Sequence, residues 1–345
     1  MRRLKNIAFK VLCLFSRLHS RITGPKLVIH YVQGIFGRKS EALADILRKR
    51  GFHVEVRSGL SRKLRVQLCS RSDLWIGTWN SVPREHLPRN YIFWNAEPIN
   101  MKRWTEAEDW SDVSRDSESY RFHDSRQLRS QWLQSLTGAR AVWGYTRLNA
   151  DVVARLGVPF TFVPFGYAPY YEAAFRRSTG GKAYTQDIDV LFFGWVTDRR
   201  KHVLDQLIER GMNVRIVSQH QIIVGDALDE LMARSKIILG IHGYDDPDAQ
   251  IPDLARFDYL LSNRLFAIHE SPSEVARDVE FETNVITCAY ADIPDTCAHY
   301  LDQPELRASR AEQACQWFKA AYAMEDFIPF DQIRSFLQQK PASSA

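Results

Sequence analysis

Asp187-Ile188-Asp189-Val190-Leu191-Phe192-Phe193-Gly194-Trp195-Val196-Thr197-Asp198-Arg199-Arg200-Lys201 is the stretch whose reading decides the fold. The run from Ile188 to Phe193 is short, apolar and rich in β-branched and aromatic residues, and it stops at a glycine, so it reads as a buried strand entering a tight loop. Thr197 or Asp198 can cap a helix that starts near Arg199 and carries Val203, Leu204, Leu207 and Ile208 on one apolar face. Strand, glycine loop and helix in this order form the turn at which ligands bind in open α/β sheets. Arg199, Arg200 and Lys201 stand in the first helical turn, where the helix dipole disfavours cations by a few tenths of a kcal/mol, roughly. An anion such as phosphate would offset that cost through backbone N–H groups and arginine side chains. The competing reading is a solvated charged face.

Outward from this unit the chain repeats the same grammar. At 345 residues it fits two domains of roughly 150 residues each. Its 45% apolar and 25% charged content is that of a soluble globular protein rather than a disordered chain. Nine Trp and nineteen Phe suit either large cores or an aromatic-lined site. Cys13, Cys69, Cys288, Cys297 and Cys315 show neither metal-type nor redox spacing, which favours a reduced, cytoplasmic setting. A net charge of +5 is too small to argue for nucleic acid.

Residues 1–24 concentrate charge: Arg2, Arg3, Lys5, Lys10, Arg17 and Arg21 occur before the first acid, Glu41. Leu4, Ile7, Val11, Leu14, Phe15, Leu18 and Ile22 follow helical spacing, so the segment reads as a basic amphipathic helix suited to an anionic membrane surface, or to packing on the protein. Lys10 makes it a poor spanning segment.

Residues 25–167 read as an α/β domain. A strand over 26–32, a loop through Gly34 and Gly37, a helix over 40–50 and a strand over 53–57 give a βαβ opening. Short buried strands follow over 74–77, 91–94, 141–145 and 161–164. The two early glycines do not complete a dinucleotide fingerprint, which disfavours an oxidoreductase. Residues 101–130 are polar and aperiodic, and a segment of that length is usually functional or mobile. The text over 168–186 turns to Pro, Ser, Thr and Gly and reads as a linker. Residues 187–303 form the second α/β domain, with strands over 213–218, 237–241 and 265–268 and helices over 227–234 and 254–262. Closing helices over 304–318 and 331–337 lie in the tail 304–345. A linker and a closing helix of this kind predict a hinge.

The second domain resembles the carboxyl-terminal domain of GT-B glycosyltransferases, in particular the bacterial group 1 type. The resemblance rests on Asp189 to Gly194 with Arg199-Arg200, on Ala233-Arg234-Ser235-Lys236-Ile237-Ile238-Leu239-Gly240-Ile241-His242, and on Arg256 to Asn263 running into Ala267-Ile268-His269-Glu270. Weaker similarity covers Tyr91 to Pro98 and Gly144 to Gly166. The resemblance implies two Rossmann-like domains facing across a cleft, with parallel sheets and helices on both faces. It implies a nucleotide-sugar donor against the second domain and a glycan or lipid-linked acceptor against the first, in a cytoplasmic enzyme of surface polysaccharide synthesis, at the inner face of the membrane if residues 1–24 bind there.

By the same resemblance Gly194 lets the backbone approach the donor pyrophosphate, Arg199 or Arg200 takes its charge, and Arg256 adds a second phosphate contact. Such cations would stabilise the departing diphosphate. Asp258 or Glu270 would hold ribose hydroxyls. Families with a paired-glutamate motif carry Glu where this chain has Gln250 and Asp258, which leaves retention or inversion open. For an inverting transfer Glu97, at a strand end before Pro98, is the first general-base candidate, against the plain reading of a turn acid. His242 ends a strand and is placed to touch sugar or phosphate, against a structural role; His30 and Asp73 are weaker candidates. Asp246-Pro247-Asp248 reads as surface rather than as a metal site, so no metal or cofactor is expected beyond the donor. A sugar-nucleotide epimerase and a non-catalytic nucleotide- or glycan-binding protein are the alternatives.

Overall fold

The computed structural model describes residues 25–31, 36–59, 73–78, 87–88, 90–96, 133–218, 220, 223–243, 245, 250–276 and 278–339. The basic segment 1–24, the loop with Gly34, Glu97, the polar segment 101–130 and Asp246-Pro247-Asp248 lie outside the described residues. The chain divides into two compact units. The first takes its described residues from 25–96, 133–163 and 327–339, and the second takes them from 164–326.

In the first unit the strands are β1 (Leu27–Tyr31), β2 (Val54–Ser58), β3 (Leu74–Thr78), β4 (Tyr91–Asn95), β5 (Ala141–Gly144) and β6 (Phe160–Phe162), with helices α1 (Gly37–Lys49) and α2 (Ala150–Arg155) between them. They form one parallel sheet in the order β2-β1-β3-β4-β5-β6. Every residue of β3, β4 and β5 is buried, as expected of parallel strands covered on both faces. Trp75, Trp94 and Trp143 are fully buried in these strands, so this part of the tryptophan content supplies core.

The second unit opens with α3 (Pro169–Ser178) and continues through β7 (Ile188–Phe193), α4 (Asp198–Glu209), β8 (Val214–Val217), α5 (Asp226–Ala233), β9 (Ser235–Gly240), α6 (Leu254–Ser262), β10 (Ala267–Glu270), α7 (Val279–Asn284), β11 (Ile286–Cys288), α8 (Ile293–Leu301) and α9 (Pro304–Ala321). Its parallel sheet has the order β11-β10-β9-β7-β8. Val190 and Phe192 of β7 pack with Val203, Leu204 and Leu207 of α4 and with Ile237 and Leu239 of β9. Ile208, expected on the same face of α4, is 48% exposed. It lies beside Leu207, about 100° round the helix, and falls outside the buried stripe.

The strand order fixes where a site can form. From β7 the chain runs through α4 to β8 on one side, then returns through α5 to β9 on the other. The loops leaving the carboxyl ends of β7 and β9 therefore diverge and leave a crevice between them, the topological switch point of the sheet.

Two sequence expectations differ from the architecture. Residues 168–186 contain the ten-residue helix α3 and belong to the second unit. Its inward face is short: Tyr171 and Ala174 are buried and the Tyr171 and Phe175 rings meet Tyr259 edge-on. These are too few apolar positions to stand out from the polar residues around them, and polar contacts add to them. Tyr171 donates to Asp258 Oδ2 at 2.9 Å, and Ser178 donates to Asp229. The tail 304–345 is not one body either. Helix α9 belongs to the second unit, whereas the last helix, Phe330–Gln338, follows the four-residue helix Met324–Phe327 and belongs to the first. There Arg140 donates to the Phe336 carbonyl at 3.0 Å and Trp143 Nε1 donates to Gln332 Oε1 at 3.2 Å. The elements α7, β11 and α8 lie inside the expected second domain, although their own periodicity is too weak to announce them.

Candidate functional site

The crevice between β7 and β9 is built first from a glycine. Gly194 follows Phe193 with φ +138°, a conformation that L side chains rarely adopt, and its N–H donates to the Val217 carbonyl at 3.0 Å. The chain then turns into α4, where Thr197 caps the helix by accepting from the Arg200 N–H at 3.3 Å. Asp198 in the first turn complements the dipole that the arginines oppose.

Arg200 is directed across the crevice. Its Nε donates to the Ile241 carbonyl at 2.8 Å and its Nη1 to the Trp195 carbonyl at 2.7 Å, so the guanidinium ties the loop after β7 to the loop after β9. A β-carbon on Gly243 would stand 3.5 Å from that guanidinium. Arg256, on the first turn of α6, mirrors this arrangement on the other loop. Its Nε lies 3.3 Å from Asp253 Oδ2, and its Nη2 would stand 3.0 Å from a β-carbon on Gly194. The Arg256 side chain is 14% exposed, packs over the Phe193 ring at 5.3 Å, and has its Nη1 buried with no hydrogen-bond partner. A buried donor left unpaired costs about 1–3 kcal/mol. The cations around Asp253, Arg256 first, outweigh its burial and hold its carboxyl below the usual range.

Arg199, expected with Arg200 as the alternatives for the donor phosphates, is engaged here by carboxylates of the protein. Its Nη1 and Nη2 donate to both oxygens of Glu270 at 2.7 and 2.5 Å, with the two side chains 13% and 5% exposed. Its guanidinium also stacks 3.8 Å from the centre of the Tyr290 ring, donates to the His242 carbonyl at 3.1 Å and pairs with Asp245. Burial alone would lower its pKa, but the bonds to Glu270 and Asp245 raise it. Glu270 Oε2 accepts in addition from the His242 N–H at 2.9 Å. The Arg199–Glu270 pair thus holds the loop after β9 to the end of β10, and both groups expected to meet donor meet each other.

Asp258 lies away from this arrangement. It is fully buried on α6, with Oδ2 accepting from Tyr171 OH and Oδ1 accepting from the Tyr259 N–H at 2.7 Å. Its observed partners are interior groups rather than a ligand surface.

Two histidines complete the site. His269 is buried on β10 with its ring edge-on to Phe257 at 4.8 Å. Its Nε2 accepts from the Asp253 N–H at 3.3 Å, which leaves Nδ1 as the donor to the Glu270 carbonyl. Burial, reinforced by His242, pushes its pKa down to about 3. Sequence reading did not single out His269; its place one residue before the strand-end Glu270 was the available signal. His242 is 6% exposed, lies edge-on to His269 at 5.0 Å, and has Nε2 buried without a partner. Burial lowers its pKa, partly offset by Glu270.

The structure therefore brings Gly194, Arg199, Arg200, Arg256, His242 and Glu270 to one sheet edge. His30 and Asp73 are buried in the first unit, where His30 Nε2 contacts the Gly59 carbonyl at 3.1 Å and Asp73 lies 3.4 Å from the Lys26 N–H. Among the described residues, no group of three or more His, Cys, Asp or Glu side chains is placed to hold a metal ion. Among the same residues, no helix is long and apolar enough to cross a membrane.

No family profile and no curated protein matches the chain by sequence. Solved structures do match it. WaaG, a glycosyltransferase involved in lipopolysaccharide biosynthesis, aligns with a TM-score of 0.53 at 13% identity over 91% of this chain and 100% of its own. Sucrose-phosphate synthase from Thermosynechococcus elongatus aligns at 0.51 and 9% identity, over 90% of this chain and 99% of its own. AviGT4, a glycosyltransferase involved in avilamycin A biosynthesis, aligns at 0.50 and 12% identity, over 92% and 99%. With two all-parallel sheets, each carrying a β-strand switch point, the chain has the Rossmann-like, two-domain GT-B fold of these glycosyltransferases.

Proposed function

We propose that this chain is a glycosyltransferase that moves a hexosyl group from a nucleotide-sugar donor to a glycan or lipid-linked acceptor in bacterial surface polysaccharide synthesis. The observation that carries the reading is the buried, unpartnered Nη1 of Arg256 beside Gly194, at the switch point where α/β sheets take ligands. Arg200 supplies a second guanidinium against Gly243. Two fixed cations and a loop that tolerates no β-carbon suit a diphosphate, whose charge grows as the glycosidic bond breaks. These arginines take over the charge-stabilising work of a metal, so transfer is proposed to be metal-independent. Glu97, two residues beyond Asn95 in the sequence, is the proposed general base for the acceptor hydroxyl. Residues 1–24, with six Lys and Arg before any acid, are proposed to hold the enzyme at the inner face of an anionic membrane.

The test is a thermal-shift screen against UDP, GDP, dTDP, CMP and ADP with and without divalent metal, because a ligand that binds only the folded state raises the melting point. One nucleotide is expected to stabilise the protein, without metal, and to lose that effect in Arg256→Ala and Arg200→Ala. Transfer to acceptor, rather than free-sugar isomer formation, then separates this activity from an epimerase. Binding without turnover supports a non-catalytic role, and no shift with any nucleotide removes the donor site altogether. Equal partition of the protein with neutral and anionic liposomes would sink the membrane proposal.

A further inference from the structure

Phosphate binding accounts for Arg256 but leaves a second buried atom in the same site unexplained. Among the described residues, His242 Nε2 and Arg256 Nη1 are both buried without a partner. The two atoms have opposite needs. Arginine only donates, and a phosphate oxygen satisfies it. For His242, the backbone bond to Ser271 favours the protonated form of the nitrogen that makes it. Since Nε2 has no partner, the Ser271 backbone acts on Nδ1 and favours the proton there, so in the neutral ring Nε2 presents a lone pair. An unprotonated phosphate has no hydrogen to give it. The neighbouring carboxylates have none either: Glu270 accepts from Arg199 and from the His242 N–H, and Asp253 faces Arg256.

We propose that His242 is a specificity-determining residue that accepts a hydrogen bond from a hydroxyl group of the bound donor. It thereby reads the sugar or ribose part of the ligand, while Arg200 and Arg256 read its phosphates. The inference rests on the proposed donor site and adds to it a residue whose contact is chemically distinct from the arginines'. The imidazole is fixed for this role. Its backbone N–H is held by Glu270 at 2.9 Å and its ring packs on His269. The titratable and charged groups that bear on it are Glu270 and the neutral His269 of β10, Asp253 at the start of α6 and Arg199 of α4. Burial keeps it neutral below the ordinary histidine range, so the acceptor persists through neutral pH and is lost only on acidification.

The experiment measures calorimetric affinities of UDP, 2′,3′-dideoxy-UDP and UDP-glucose, with the matching guanine and adenine ligands, for the wild type, His242→Phe and His242→Gln. A hydrogen bond across a buried site corresponds to about tenfold in affinity. If the hydroxyl belongs to the sugar, His242→Phe loses about that factor for the nucleotide sugar alone. If it belongs to the ribose, the nucleotide and the nucleotide sugar both lose it while the dideoxy ligand does not. In either case His242→Gln, whose amide oxygen accepts, restores part of the loss, and acidification weakens wild-type binding of only the hydroxyl-bearing ligands. Equal weakening of all ligands, dideoxy included, overturns the proposal in favour of a phosphate or base contact. Unchanged affinities overturn it as well. Failure of the wild type to bind any nucleotide overturns the donor site first, and this inference with it.

Discussion

Nη2 of Arg256 stands 3.0 Å from the point where a β-carbon on Gly194 would sit. Gly194 lies in the loop after β7 and Arg256 on the first turn of α6, and the guanidinium occupies the space that the missing side chain leaves. Gly194→Ala is therefore expected to act twice. The methyl group displaces Arg256, and a φ of +138° is strained for any L side chain, at a cost of about 1–3 kcal/mol. The expected outcome is a lower melting temperature together with loss of the nucleotide-induced shift. Retention of the full shift would count against a diphosphate at this loop.

Arg199 is expected to behave as a positioning residue, distinct from its neighbour Arg200. Removing one partner of a buried ion pair leaves an uncompensated charge and costs about 3–5 kcal/mol. Arg199→Ala should therefore destabilise the second unit by that order, with Glu270 left against His242. Arg199→Lys keeps the charge but neither the two-pronged bond to Glu270 nor the planar stack on Tyr290, so its denaturation midpoint should fall between the two. Arg200→Ala, by contrast, should cost mainly nucleotide affinity. Equal losses of stability in the two variants would remove the distinction.

Asp258 is expected to be a scaffold residue. Tyr171→Phe leaves Asp258 Oδ2 without the phenol that donates to it at 2.9 Å, which should lower stability by about 1–3 kcal/mol. Asp258→Asn should likewise lower stability while leaving nucleotide affinity unchanged. A selective loss of ribonucleotide affinity in Asp258→Asn, with the melting point intact, would return Asp258 to the ribose role that its sequence position suggests.

These residues show where the sequence was legible and where it was not. The strands β3, β4, β5 and β7 could be read because parallel strands buried on both faces leave continuous apolar runs, and the Gly194 loop because only glycine serves there. The strand, glycine loop and helix placed Gly194 and Arg200 at a ligand-binding sheet edge, strand ends placed His242 and Glu270 there, and Arg256 joined them through the family resemblance alone. What spacing does not encode is the choice of partner. Arg199 and Arg200 are adjacent and chemically identical, yet one faces Glu270 and the other Ile241 and Trp195, because successive helix positions point about 100° apart. The same limit hid α3, where Tyr171 and Ser178 reach carboxylates and the apolar stripe is only Tyr171, Ala174 and Phe175 long. It also hid the return of Phe330–Gln338 to the first unit, since a short amphipathic helix carries no mark of which sheet it will cover.

Acid stability should report His269. In the unfolded chain a histidine takes up its proton near pH 6.5, whereas burial holds this one neutral down to about 3. Between those values the unfolded state binds the extra proton, so unfolding free energy rises with pH and falls on acidification. The contribution is fully present above about pH 6.5 and is withdrawn at up to about 1.4 kcal/mol per pH unit as the pH falls towards the folded value. His242, lowered in the same direction by burial, adds to the slope over the upper part of that window. Carboxylates such as Asp253, whose folded pKa is depressed by neighbouring cations, add to it only at more acid pH, below the unfolded value near 4. Chemical denaturation from pH 8 to pH 5 therefore isolates the histidines from the acids. His269→Gln retains a donor and an acceptor for the Glu270 carbonyl and the Asp253 N–H while removing the titration, and is expected to flatten the slope between pH 6.5 and 5. An unchanged slope in that variant would mean that the imidazole takes up its proton as readily in the folded protein as in the unfolded chain.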